Sequence, residues 1–310
     1  MKFPFHLWQK VPNYDFVGYR KAGFAVTFIG VIATFISLAV NGLNFGIDFS
    51  GGVVMEVRTE QTSDINKMRT VLVANAETKN AMLQSVGTDG KQVMIRLKPE
   101  GNENQAQVSQ AVHTTLDAGY GAKVEYLRVD YVGPQVGGEL IRGSFMALTL
   151  AMAAMAVYLW FRFEWQYGFG GILALLHDAI LVVGFYSVTR IEFNLTSVAA
   201  ILTVIGYSIN DSVVIYDRVR EDLRKFKVKP VPEVLNLACN ETLARTFLTG
   251  GTVLMALLGL VIFGGDVLFG FSAAMIFGVI VGTYSSIYVS ATVLIYLNLR
   301  RSELAAVKTA

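Results

Sequence analysis

The sequence predicts an all-α membrane bundle of six helices with a small α+β domain inserted after the first helix. Three observations carry the prediction. Of the 310 residues, 53% are hydrophobic and only 16% charged, a balance too apolar for an ordinary soluble domain of this size. Six stretches are long and apolar enough to cross a membrane. Crossing a hydrocarbon core of ~30 Å takes ~20 helical residues, and a helix satisfies its own backbone in lipid. Between the first two stretches lies a polar run of different character, residues 44–138.

The chain begins with a predicted cytoplasmic segment at 1–22 and a first span at 23–43, whose apolar centre is 23–40. That centre is longer than a usual signal-peptide core, and no small-x-small cleavage site precedes Asn41, so it reads as a retained anchor. The other spans fall near 140–161, 168–188, 195–215, 246–263 and 269–297, in a region 139–299 with a cytoplasmic loop at 217–244; 300–310 is a tail. Lys and Arg in short flanks stay in the cytoplasm. Lys2, Lys10, Arg20 and Lys21 precede the first span, Arg162 lies between the second and third, and a cluster from Arg218 to Lys229 follows the fourth. Arg300 and Arg301 close the sixth, whereas the opposite flanks hold Arg190 and Asp266. Both termini are therefore predicted cytoplasmic, with 44–138 outside.

Within that outer run, VVMEVR at 53–58 alternates as a strand, and 62–76 reads as a helix opened by Ser63. AMLQSVG and KQVMIRL form a hairpin across Gly87 to Gly90, 104–116 is a second helix, and AKVEYLRVDYV is a last strand. The order βαββαβ is that of a ferredoxin-like split βαβ domain. Such a fold serves many functions and by itself assigns none.

Composition excludes several chemistries. The charge of +2 is balanced and suggests no nucleic-acid partner. Cys239 is the single cysteine, and His6, His113 and His177 are scattered, so no disulfide and no metal site is expected. GxxxxGK[ST] is absent, and no serine has a recognisable histidine and carboxylate arrangement. No cofactor and no covalent catalysis is expected; any work done draws on an ion gradient.

The polar residues inside the spans stand out against this background. An ionised carboxylate in lipid costs ~2.5–3.5 kcal/mol on insertion scales, so Asp178 and Asp211 are expected to face the bundle interior and to be functional. Thr203, Tyr207, Asn210 and Asp211 read as one face of the fourth span; Thr242, Arg245, Thr249 and Thr252 read as one face of the fifth. Thr283, Ser286 and Ser290 form a third stripe, and Gly278 and Gly282 read as helix-packing residues. His177 and Asp178 are adjacent, so their side chains should diverge rather than pair; a secondary relay and a structural hydrogen bond are both open. Asp217 beside Arg218 reads as a solvated pair.

Two glycine-rich motifs bracket the outer domain: GIDFSGG, with Gly46, Asp48, Gly51 and Gly52, and VGPQVG, with Gly133, Pro134 and Gly137. Each is readable as a hinge or as a rigid turn. These motifs, with GYSINDSVVIYDRVRE at 206–221, ETLARTFLTGGT at 241–252 and FGVIVGTYSSIYVS at 277–290, resemble the SecD/SecF family of the resistance-nodulation-division superfamily over about 46–290. Gly250 and Gly251 stand where hydroxyl-bearing residues are more usual.

The resemblance implies a bacterial inner-membrane subunit that uses the protonmotive force to help draw exported, unfolded polypeptide from the SecYEG channel. Its implied partners are SecD and SecYEG, with YajC and YidC as further candidates, in the lipid bilayer. It implies that Asp211 carries the proton, tuned by Arg245, with Tyr207 and Asn210 beside it and with Asp178, His177, Thr249 and Ser286 as secondary polar positions. Two other readings are a self-contained homodimeric small-molecule exporter, for which one small outer domain offers little pocket, and a non-transporting assembly factor, which leaves Asp211 and Arg245 without a purpose.

Overall fold

The computed structural model describes residues 11–86, 90–97, 105–297 and 299. The tip of the predicted hairpin, the tail and the flanking residues Lys2, Lys10, Arg300 and Arg301 lie outside the described residues. Six helices are long and apolar enough to cross a membrane. They are α1 (Arg20–Asn41), α5 (Pro134–Arg162), α6 (Trp165–Thr189), α7 (Leu195–Lys225), α8 (Val231–Phe263) and a final composite. The composite joins α9 (Gly265–Ser285), one π-helical segment (Ser286–Ala291) and α10 (Thr292–Tyr296). Between α1 and α5 lie the short α2 (Ile47–Ser50), strand β1 (Gly52–Thr59), α3 (Ile65–Val73), β2 (Met82–Val86), β3 (Gln92–Leu97), α4 (Gln105–Gly119) and β4 (Val124–Val132).

The spans divide into two classes. About half of the apolar window of α6, of α7 and of the composite is buried, against 17% or less for α1, α5 and α8. The first three form the centre, where Leu175, Val182, Ile201, Val204, Ile205, Val279 and Leu294 interlock. The outer three keep Phe28, Ile36, Phe145, Leu150, Met255 and Ile262 exposed, as helices bordering lipid do. Glycines let α9 approach α7 closely: a Cβ at Gly278 would collide with Val204, and one at Gly282 would lie 3.1 Å from Ser208 Cβ.

Gly278→Val is therefore expected to overpack this seam at a cost of ~1–3 kcal/mol and lower the melting temperature in detergent. Gly259→Val, whose added Cβ meets nothing within 4 Å, should leave it unchanged. Equal melting of the two variants would show that the seam tolerates the extra volume.

The predicted loop at 217–244 is instead mostly helix, and only 226–230 separates α7 from α8. Helices do not stop where hydrophobicity stops. Arg218, Glu221 and Arg224 continue the turn of α7 with heads free to leave the apolar layer, and Lys229–Pro230 make the break before Pro232 restarts the chain near the first turn of α8. Ser63 does not open the first domain helix; its hydroxyl bonds Thr59 and the Lys91 carbonyl, and Asp64 caps α3 through Lys67 N–H at 3.0 Å.

The sheet is antiparallel with order β2-β3-β1-β4. Alternation in β1 and β3 buries Val53, Met55, Val57, Val93, Ile95 and Leu97 against Met68, Leu72, Val112 and Leu116 of α3 and α4. Both helices thus cover one face. The opposite face carries Arg96 and turns toward the bundle.

Candidate functional site

The site grows from α7. Asn194 caps this helix in a reciprocal box with Ser197, and the helix then runs unbroken through the polar sequence around 207–211. Adjacent helical residues point ~100° apart, and the fold uses this difference. Asp211 is buried, and its Oδ2 has no hydrogen-bond partner, whereas Asn210 is exposed. Arg245, halfway along the neighbouring α8 rather than at its opening, lies within Coulombic reach of Asp211. The Arg245 side chain is itself exposed. Tyr207, one turn before Asp211, is half-buried with an unbonded hydroxyl. Gly250 leaves it room: a Cβ there would lie 3.3 Å from Tyr207 Oη and 3.9 Å from Thr283 Oγ1. The hydroxyl-for-glycine difference noted in the sequence therefore opens space beside Tyr207.

Other predicted positions are quieter. Thr249 Oγ1 donates to Arg245 O at 3.0 Å, Thr242 to Ala238 O at 2.9 Å, and Ser286 to Thr283 O at 2.9 Å, all within their own helices. Thr203 and Thr252 are exposed and do the same. Ser290 is drawn inward, where its Oγ donates to Tyr216 Oη at 2.5 Å.

His177 and Asp178 do not diverge as expected. His177 Nδ1 and Asp178 Oδ1 are 2.9 Å apart, because a buried carboxylate in an apolar centre draws in every nearby polar group. Asp178 Oδ2 also accepts from Ser208 Oγ of α7 at 2.5 Å and from Ser285 Oγ of α9 at 2.7 Å. One carboxylate thus ties three central helices. Neither serine was singled out from sequence, since nothing along the chain says which helix faces which; the available signal was their place within the motifs at 206–221 and 277–290.

Asp217 likewise pairs with Arg162 at 2.7 Å rather than with Arg218. Arg218 binds Glu241 of α8 and Glu221 at 2.7 Å, and lies 3.7 Å from the buried Asp222. The solvated pair of the sequence reading is a cross-helix cluster.

At the opposite end the two glycine motifs meet each other and the bundle. Gly51 and Gly52 have φ of +71° and +145°, which only glycine holds without strain, and they turn α2 into β1. A Cβ at Gly137 would fall 2.5 Å from the Phe49 carbonyl oxygen, so α5 packs directly on α2. Gly133 and Pro134 start α5. Gly46 N–H donates to Phe193 O at 2.9 Å, and Phe49 and Phe193 stack while Phe45 meets both edge-on. Asp48 Oδ2 accepts from Leu195 N–H at 3.1 Å, adding a negative charge at the N-terminus of the helix that carries Asp211. Arg96 forms an ion pair with Glu192. Burial lowers the Arg96 guanidinium from its ordinary range, and the nearby Asp48 carboxylate opposes that. Arg190, in the left-handed conformation at φ +59°, donates to Asn41 O at 2.6 Å and Gly42 O at 3.1 Å and so caps α1. This explains an arginine on the side that should be poor in them.

These features define a multi-pass inner-membrane protein with a small α+β domain docked over one end and a buried carboxylate facing an arginine within the spans. The chain belongs to the SecD/SecF family of protein-export membrane proteins. The profile described as "Protein export membrane protein SecD/SecF, C-terminal" matches residues 112–300, and "SecD/SecF GG Motif" matches 36–63. The chain is 45% identical over 292 residues to protein translocase subunit SecF of Rickettsia rickettsii, covering 94% of both chains. It is 46% identical over 287 residues to that of Rickettsia prowazekii, covering 92% of both. Among solved structures it resembles SecDF of Thermus thermophilus, described as a translocon-associated membrane protein, with a TM-score of 0.80 and 33% identity. That match covers 94% of this chain and 40% of the solved one.

Proposed function

We propose that this chain is the SecF-type half of a proton-driven protein-export machine. It pairs with a SecD-type half, associates with the SecYEG channel, with YajC and YidC as further contacts, and uses the protonmotive force to draw unfolded polypeptide outward. It moves protons and polypeptide and makes or breaks no covalent bond of the polypeptide. The observation that carries this reading is buried Asp211 within Coulombic reach of Arg245, with Arg245 and Asn210 both exposed at span depth. A guanidinium exposed there cannot face lipid without large cost, so a partner's helices cover it. The match to only 40% of the SecDF chain supports the same conclusion: a second half supplies the missing wall. The order β2-β3-β1-β4 with both helices on one face supports a ferredoxin-like domain, and the basic flanks support its placement outside the cytoplasm with both termini inside.

Purification from mild detergent tests the reading. The expected companions are a SecD-type protein and the channel; a chain that recovers only itself, as a dimer, would support the exporter reading. In intact cells, a cysteine placed at 125, on β4, should react with an impermeant thiol reagent. Labelling only after the membrane is broken would invert the topology.

A further inference from the structure

Among the described residues three carboxylates of the bundle are deeply buried, Asp178, Asp211 and Asp222, and the proposed function uses only Asp211. Asp178 is 0% exposed and accepts two serine hydroxyls on Oδ2 while Oδ1 faces His177 Nδ1. A purely structural knot would leave every member satisfied. This one does not: His177 Nε2 is buried and has no hydrogen-bond partner. His177 stands on α6, which packs against both α9 and α1. Tyr284 lies with its ring centroid 6.3 Å from that of His177, and its hydroxyl donates to Gly23 O at 2.5 Å. Immediately after Ser285 the helix widens into the π-helical segment at Ser286–Ala291, a local departure that is common at functional sites. On the other side Ser208 is one turn before Asp211 on the same helix, a spacing that puts two side chains on one face.

We propose that His177 and Asp178 form a second proton-holding site, connected through Ser208 to Asp211; this rests on the proton-driven reading above. The pair is suited to hold a proton in either of two ways, as imidazole with carboxylic acid or as imidazolium with carboxylate. The pair therefore keeps one charge balance while the proton changes place. When a proton binds at Nε2, an N–H bond forms there, the N–H bond at Nδ1 breaks, and an O–H bond forms on Asp178. Discharge breaks the O–H bond at Asp178: Ser208 Oγ takes that proton as its own hydroxyl proton leaves toward Asp211, and the ring resets when a proton binds at Nδ1 and the Nε2 proton is lost. The groups facing the pair are Tyr284 and Ser285 from α9 and Ser208 from α7, with Tyr207 and Asp211 nearest along that helix. On α1 the charged groups Arg20 and Lys21 lie within one turn of the Gly23 carbonyl that Tyr284 binds.

The chain has three histidines, so His6→Gln with His113→Gln leaves His177 as its single imidazole. This chain, labelled at histidine and assembled with its unlabelled partner, is titrated by NMR between pH 5 and 9. We expect the ring hydrogen to be found on Nδ1 in one state of the pair and on Nε2 in the other. In proteoliposomes Asp178→Asn, which keeps the shape and one acceptor oxygen, should still assemble with the partner but take up protons at least tenfold more slowly under a gradient. An imidazole fixed in one state throughout, or wild-type uptake by Asp178→Asn, overturns the proposal. If Asp178→Asn fails to assemble, the wild-type titration still decides. Asp211→Asn in the same vesicles separates the two claims: normal uptake there, with loss in Asp178→Asn, would remove Asp211 from the path and leave this site standing.

Discussion

Asp211→Asn should abolish the gradient-dependent stage of export while leaving assembly with the partner intact. Asn keeps the volume and one acceptor oxygen but cannot ionise. The carboxyl it replaces is buried, has an oxygen without a hydrogen bond and feels Arg245 across the α7–α8 seam. Desolvation disfavours the charged form, and the guanidinium favours it. On the proposed function, moving Arg245 toward or away from Asp211 would change which form is held and so would couple proton passage to helix movement. One charge crossing 100 mV is worth ~2.3 kcal/mol, enough to bias a two-state equilibrium roughly fiftyfold. Removing the titrating group removes that bias, so translocation in vesicles should become the same with and without a gradient. A full gradient response in Asp211→Asn would reduce the residue to a structural polar group. Arg245→Gln should resemble it in vesicles, since one partner of the pair is lost in each.

Tying the outer domain to the bundle should stop export, and releasing it should restore export. Arg96 and Glu192 supply the place: they form an ion pair between β3 and the α6–α7 connection, beside the Asp48 carboxylate that caps α7. In Arg96→Cys with Glu192→Cys, a short thiol-cleavable bis-maleimide locks the domain in the arrangement seen here. Cys239 is buried and should not compete. Gly51 and Gly52 occupy dihedrals that only glycine tolerates freely, and they are the expected hinge about which the strand entering the domain swings. Unchanged export with the link complete would mean that the domain is a fixed platform and the motifs are rigid turns. The packing of Gly137 on Phe49 O favours a pivot that moves as one unit, α2 with the start of α5.

Much of this architecture was legible along the chain, and the reason is that lipid imposes a one-dimensional rule. A span must be apolar over its whole length, so six runs of hydrophobic residues reveal six helices whatever their neighbours. Alternation in 53–58 and 92–97 revealed the buried faces of β1 and β3 for the same reason: one face packs, the other does not. Asp211 was legible because a carboxylate within an apolar run is anomalous in any fold.

What the sequence alone could not determine was pairing. That His177 and Asp178 meet, that Ser208 and Ser285 converge on one carboxylate, and that Arg218 reaches Glu241 all depend on the rotation of one helix against another. Hydrophobicity carries little rotational signal when a helix is apolar on all sides, as α6 and α9 are. The extension of α7 and α8 beyond the apolar layer escaped notice because charged residues are good helix formers once their heads reach water. The π-helical segment escaped too, since it costs one hydrogen-bond register and leaves no composition mark. Identity, span and buried charge are properties of the residues themselves; which polar groups touch, and therefore where a proton can rest, only the packed helices decide.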